Sequence, residues 1–235
     1  EPHREMFVNI TPSGVETPAS SVDANQRSYC TFSPAMFEEF SLSEPIAALF
    51  PVGEVLEWFE WLNDSEPITI SFVADPGAEM ATQLRLSDQR STVVIDCTAE
   101  PSLLGEIDTS LPERFDGEVF LDEAGEPVPT RIETTTDALG QLVGAVKRCA
   151  GGDYYPLTVT GGELFFGVTD DRTQVEGKLP GTVDGPGFAR QYGPGFGRII
   201  RALDGDVTLW TGPEQPLAIV ATDQGATYRH VVTGH

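Results

Sequence analysis

The chain repeats itself, and the repeat limits the folds open to it. The stretch MFVNITPSGVETPASS near the start reads as strand, Ser-Gly turn, strand, and YYPLTVTGGELFFGVTDD gives the same pattern around a Gly161-Gly162 turn. Farther on, LFPVGEVLEWFEWLNDSEPITISFVADPGAEMATQLRLSDQRSTVVIDC reads as a helix followed by three strands. QYGPGFGRIIRALDGDVTLWTGPEQPLAIVATDQGATYRHVVT repeats that order with shorter connections. Both pairs are offset by a little under 150 residues, the size of one domain, so the 235 residues are two copies of one unit. Short strands punctuated by Gly, Pro and Asp, with few helices, give an α+β fold built on antiparallel sheets. The predicted organisation is a first domain over residues 1–98, a connecting loop over 99–114 and a second domain over 115–235.

The second copy carries an element that the first lacks. TRIETTTDALGQLVGAVKRCAGG is a strand and then a helix capped by Thr136 or Asp137 and closed by Gly151. Nothing equivalent precedes MFVNIT, and the chain begins at Glu1 without an initiator Met, so the first strand and helix of copy one are expected to be absent from this sequence. The connecting segment TAEPSLLGEIDTSLPERFDGE has no clear period and sets Leu103, Leu104 and Ile107 among acids. It reads either as a docking surface with exposed apolar residues or as a partly packed connector.

Charge decides which partners are open to the chain. There are 37 Asp and Glu against 14 Lys and Arg, a formal net charge of -23, which repels polyanions at low salt. Only Lys147 and Lys178 are lysines; the other cations are arginines, weakly hydrated and always charged. A carboxylate-rich, lysine-poor surface stays soluble in molar salt, where the screening length falls to about 3 Å. The composition therefore reads as a protein of a high-salt cytoplasm, or as an ordinary acidic protein with an acidic partner-binding face. Cys30, Cys97 and Cys149 read as reduced thiols. No apolar run reaches the roughly 18 residues of a membrane span, and no signal peptide is recognisable.

Signals for catalysis are weak. Gly193, Gly195 and Gly197 in GPGFG imitate a phosphate loop, but the spacing fails and no Gly-Lys-Ser follows. His3, His230 and His235 support neither a zinc site nor a Ser-His-Asp triad, and Asp170-Asp171 reads as a turn. The expectation is a protein that is not an enzyme and needs neither cofactor nor metal.

The helices use the scarce cations in one way. On a helical wheel Phe196, Ile199, Ile200 and Leu203 share a face, with Arg198 and Arg201 opposite. Leu139, Leu142, Val143 and Val146 likewise share a face, with Arg148 opposite and Lys147 on the flank. Four of the 14 cations thus sit on the outer faces of two core-packing helices: a solvated face, or a surface for an anion. The helix of copy one departs from this, with Val52, Val55, Leu56 and Phe59 as its expected core stripe and Glu54, Glu57 and Trp61 outward.

These residues resemble the sliding clamps of archaea and eukaryotes, the proliferating cell nuclear antigen (PCNA) family. VNITPSGVETPASSVDANQRSYCTFSPAMFEEF is similar to that family's strand, turn, strand and DPAN-like loop, here VDANQ, with Asp23, Ala24 and Asn25 in matching positions and no proline. DYYPLTVTGGELFFGVTDD, PEQPLAI and ATYRHVVTGH match the second half in order, so the resemblance covers essentially the whole chain. It implies a ring of three subunits with sheets outside and helices on the inner face, around duplex DNA, acting as a processivity factor that tethers DNA polymerase and other replication and repair proteins. Lys147, Arg148, Arg198 and Arg201 would face the DNA. Partner peptides and the clamp loader would dock at Val22, Leu104, Ile107, Pro216, Val231, Thr233 and Gly234, although the chain ends VVTGH where the family usually has Ala-Pro. Subunits would meet edge to edge, with Val93, Val94 and Ile95 of one against Thr173, Val175 and Lys178 of the next. A homotrimer in the cytoplasm, associated with the nucleoid, follows. The other reading is an acidic scaffold of the same fold that does not load on DNA alone.

Overall fold

Thr11 pairs with Gly14 across the first hairpin turn and Thr160 with Glu163 across the second, so the two hairpins coincide at an offset of 149 residues. Backbone conformation forces the glycines here. Gly161 and Gly162 both take positive φ, +60° and +78°, the geometry of a tight two-residue hairpin turn. Gly14 has φ +136°, and a Cβ there would stand 2.2 Å from the Phe32 carbonyl oxygen. The computed structural model describes residues 5–20, 26–62, 67–98, 110–149 and 154–234.

Two compact units divide the chain: Glu1–Ala19 with Cys30–Asp108, and Ser20–Tyr29 with Thr109–His235. The first unit holds β1 (Glu5–Thr11), β2 (Gly14–Ser20), the end of β3 (Gln26–Phe32), β4 (Ile46–Pro51), α1 (Val52–Trp61), β5 (Thr69–Val73), β6 (Gln83–Ser87) and β7 (Thr92–Asp96). β1 pairs antiparallel with both β2 and β4, with Val8 opposite Ala48. β5, β6 and β7 form a three-stranded antiparallel sheet in which Leu84 faces both Phe72 and Ile95. Val8, Ile10, Phe50, Val55, Leu84, Leu86 and Ile95 make the core.

The second unit repeats this plan and adds to it. It contains β8 (Phe115–Asp116), β9 (Val119–Phe120), β10 (Thr130–Thr135), α2 (Thr136–Cys149), β11 (Tyr155–Thr160), β12 (Glu163–Thr169), β13 (Gln174–Leu179), β14 (Thr182–Asp184), β15 (Phe188–Tyr192), α3 (Gly195–Ala202), β16 (Asp206–Thr211), β17 (Leu217–Asp223) and β18 (Ala226–Val232). One sheet runs β13-β12-β11-β15, and the other runs β14-β10-β16-β17-β18. The order β15-β11-β12 answers to β4-β1-β2, and β16-β17-β18 answers to β5-β6-β7. Strand β10 and helix α2 have no counterpart among the described residues of the first unit.

Both helices of the second unit turn their apolar stripe inward. Leu139, Leu142, Val143 and Val146 of α2 join Phe196, Ile199 and Ile200 of α3 in one core with Leu157, Leu164, Leu209 and Ile219 from the sheets. The opposite face of the β16-β17-β18 sheet carries a smaller cluster of Tyr29, Leu111, Phe120, Val128, Ala218 and Val231. The resulting fold is α+β, with mostly antiparallel sheets and three α-helices among the described residues.

Four local readings change. Leu56, expected in the core stripe of α1, is 57 % exposed, and Trp58 packs inward in its place, because the buried face runs through Val55, Trp58, Phe59 and Leu62. The cap of α2 is Thr135, one residue earlier than expected: its Oγ1 accepts from the Ala138 N–H at 3.1 Å. The strands β4 and β15 were not separated out in the sequence. Within the nominally aperiodic connector, Leu111–Arg114 forms a 3-10 turn that leads into the β8-β9 hairpin. Asp23, Ala24 and Asn25, Val22, Leu103, Leu104 and Ile107, and the closing Gly151 lie outside the described residues. No helix among the described residues is long and apolar enough to cross a membrane.

Candidate nucleic-acid interface and docking surfaces

Burying one stripe of α2 and α3 fixes what the other side presents. Lys147 and Arg148 in the last turn of α2, and Arg198 and Arg201 on α3, are all exposed, as their wheel positions require. The two helices pack against each other, so the four cations belong to one unit and to neighbouring elements. Arg198 and Arg201 stand three residues apart on one helix, about 5–6 Å between Cβ atoms. Among the described residues no carboxylate forms an ion pair with any of the four, whereas Lys178 pairs with Glu163 at 2.5 Å and Arg131 with Glu133 at 2.6 Å.

Helix dipoles account for part of this. Lys147, Arg148 and Arg201 lie in last turns, where a cation offsets the carbonyl end by about 0.3–1 kcal/mol. Arg198 lies mid-helix and has no such explanation. The surface is also kept close to the backbone by small residues. The Arg148 guanidinium lies over Gly144, 3.6 Å from where a Cβ would be.

Gly197 permits the packing beneath these arginines. A Cβ there would stand 2.1 Å from the Tyr155 hydroxyl oxygen, and Tyr155 is buried against Phe196 with ring centroids 5.2 Å apart. Gly197→Ala is therefore expected to cost about 1–3 kcal/mol through overpacking, despite its better helix propensity. A fall in the melting temperature of about 5 °C would show this, and an unchanged or higher value would contradict it.

The helix α1 inverts the pattern. Aligning the C-caps, where Leu62 N–H donates to Trp58 and Leu203 N–H to Ile199, sets Glu57 and Glu60 in the positions of Arg198 and Arg201. Leu56 falls in the position of Gly197. Both cationic positions of one copy are thus anionic in the other, and Glu60 sits in a last turn where a carboxylate is unfavourable. The full correspondence needs the register that the caps supply; the wheel alone showed only that α1 was acidic outward.

The residues expected at a partner-peptide surface lie in different environments. Val231 is 8 % exposed within the small outer cluster, while Pro216, Thr233 and Gly234 are half-buried. Gly234 bridges to Tyr192, and a Cβ on it would meet the Arg190 guanidinium at 2.9 Å. Arg229 extends over the rings of Tyr29 and Phe115, 5.6 and 5.7 Å from their centroids, and donates to the Gly117 carbonyl. No sequence pattern pointed to this arginine and its two rings, which come together only through the sheet.

The residues expected between subunits lie on two sheet edges. β7 ends its sheet, with Val94 49 % exposed, Val93 half-buried and Ile95 in the core. β13 also ends its sheet, with Thr173 and Lys178 exposed and Val175 packed toward the core. Neither edge has a strand beside it among the described residues. Asp170 closes the turn before β13 by accepting from the N–H groups of Arg172 and Thr173, which leaves it a structural role.

His230 gives the unit a pH dependence. It is largely buried, its Nδ1 is 2.7 Å from the Ser28 hydroxyl, and burial lowers its pKa to about 4. The folded state therefore holds it neutral, while the unfolded chain takes up a proton below about 6.5. Stability is fully present above that value and is lost as pH falls toward 4, by about 2 kcal/mol between pH 7 and 5. His230→Gln should flatten this slope in thermal melts; an equal slope in both proteins would remove His230 as its source.

No family model matches the sequence, and no curated protein matches it either. Solved structures do match. PCNA from Thermococcus kodakaraensis superposes at a TM-score of 0.76 with 14% identity, over 98% of this chain and 90% of that one. A. fulgidus PCNA, solved with the C-terminal region of FEN-1 bound, gives 0.75 at 10% identity, over 98% and 89%. Proliferating cellular nuclear antigen from Entamoeba histolytica gives 0.72 at 9% identity, over 98% and 89%. With the doubled unit and the two sheet systems, the chain has the fold of the PCNA-type clamps.

Proposed function

We propose that the protein is a DNA sliding clamp, a non-enzymatic ring of three copies that encloses duplex DNA and tethers a polymerase and other replication and repair proteins. The observation that carries this reading is the set of four exposed cations, without ion pairs among the described residues, on the outer faces of two adjacent helices of a clamp fold in a chain of net charge -23. Scarce positive charge is gathered where the fold would face phosphates. A ring is held on DNA by topology, so a few mobile contacts suffice and the strong salt penalty of counterion release does not prevent function. The carboxylate-rich remainder suits a high-salt cytoplasm, where screening suppresses its self-repulsion.

The domains are assigned as residues 1–98 and 115–235 joined by 99–114. In this reading β7 of each copy pairs with β13 of the next, through Val93, Val94 and Ile95 and through Thr173, Val175 and Lys178. Closure of this kind satisfies two sheet edges at once. Partner peptides and the clamp loader dock beside Val22, Leu104, Ile107, Pro216, Val231, Thr233 and Gly234. The C-terminal region of FEN-1 bound to A. fulgidus PCNA is the precedent for a partner on this fold.

A second reading is favoured by Glu57 and Glu60, which replace arginine positions on the helix of the first unit. It is an acidic scaffold of the same fold that needs other subunits before it loads on DNA. Light scattering of the native protein in about molar salt separates the two. Three copies support the clamp, whereas a monomer gives the scaffold precedence.

A further inference from the structure

Arg190 is one of the chain's 14 cations, and it lies on neither charged helix. It is half-buried on β15, opposite Leu157 of β11. Its Nη1 donates to the carbonyl oxygens of Pro213 and Gln215, at 3.2 and 3.1 Å, in the turn between β16 and β17. The remainder of the guanidinium lies against Gly234, where a Cβ would stand 2.9 Å from Nε, 3.0 Å from Nη2 and 3.1 Å from Cζ. Backbone ties around it are longer. The Gly193 N–H donates to the Thr233 carbonyl and the Gln215 N–H to the Gly212 carbonyl, both at 3.4 Å. Two residues along β15, Tyr192 bridges to Gly234, and its hydroxyl lies 2.7 Å from that of Thr211, where the same turn begins.

We propose that Arg190 is a positioning residue of the partner-docking surface, a role that presupposes the docking surface proposed above. It clamps the turn that carries Pro216 to the terminal segment that carries Thr233 and Gly234. The donors of a guanidinium are fixed in one plane, so a single side chain can hold two segments in a set geometry, which an ammonium on a flexible stem does less well. Gly234 brings no side chain of its own to fix the terminal segment, and its backbone is the freest of any residue type. The guanidinium fills the space a side chain would take, so Arg190 and Gly234 are a matched pair. Without the clamp a partner peptide has to order both segments as it binds, and that ordering weakens its affinity.

Arg190→Gln and Gly234→Ala test this from the two sides of the contact. In Gly234→Ala the added methyl meets the far end of a flexible side chain, so it displaces the guanidinium and leaves every charge of the chain in place. Each variant should speed amide exchange at Gly193 and Gln215 about tenfold, with the β11 and β12 amides little changed. Each should also weaken binding of a synthetic peptide of the C-terminal FEN-1 region about tenfold. The double variant should lose no more than either alone, because both remove the same clamp. Unchanged exchange at these two amides overturns the proposal, and so do additive losses or an affinity that holds while exchange quickens. If the unsubstituted protein binds no such peptide, the docking surface is overturned together with Arg190's role in it, while exchange, which needs no partner, reads the clamp separately.

Discussion

Arg198→Glu combined with Arg201→Glu is expected to reduce stimulation of processive synthesis on a long primed template by about tenfold or more, with little change in fold. The two side chains are exposed and have no ion pair among the described residues, so their reversal leaves no buried charge. The stability cost is confined to the last-turn position of Arg201, about 0.3–1 kcal/mol. On DNA the consequence differs in kind. Each reversal replaces attraction for phosphate with repulsion, and the salt dependence of binding should lose about 0.9 in logarithmic slope per contact. Substituting Glu57 and Glu60 with arginine in the same background supplies cations at the matching positions of α1. Recovery of stimulation would show that both helices face the duplex. Unchanged stimulation in the double reversal would remove α3 from the DNA surface.

Val94→Asp should break the subunit contact. Val94 projects from the edge strand β7 and is half exposed, so a carboxylate there costs the isolated subunit little. Within a closed ring the same carboxylate would be buried at a strand-strand seam without a partner, and association should weaken by roughly 100-fold. Sedimentation at matched concentrations would show trimer giving way to monomer. The proposed ring, unsubstituted, should tighten as salt rises, because screening weakens repulsion between chains of net charge -23. A variant that remains trimeric would place the seam elsewhere.

Periodic parts of the fold were legible in the sequence. The Gly161-Gly162 hairpin, the inward stripes of α2 and α3 and the outward placement of four cations follow from turn chemistry and the 3.6-residue period, whereas the first hairpin turns at Pro12-Ser13, one residue before the expected Ser13-Gly14, with Gly14 already in β2. Leu56 was misplaced because α1 is apolar around most of its circumference, with Val52, Val55, Leu56, Trp58, Phe59 and Trp61 in ten residues. A wheel cannot then choose the buried arc; packing against Phe50 and Leu84 does. The β8-β9 hairpin went unseen because two-residue strands carry no period. Arg229 over Tyr29 and Phe115, residues far apart in the sequence, depends on long-range pairing that no local pattern encodes. The charge inversion between Glu57, Glu60 and Arg198, Arg201 was present in the letters but needed the two helix caps to be aligned.

The central claim is topological, and topology can be measured. The protein is incubated with the proposed clamp loader on a nicked circular duplex, and retention is followed before and after a single restriction cut. A clamp stays on the circle through gel filtration in high salt and leaves within seconds of linearisation by sliding off the ends. Equal retention on circular and linear DNA, or none on the circle, would contradict the account.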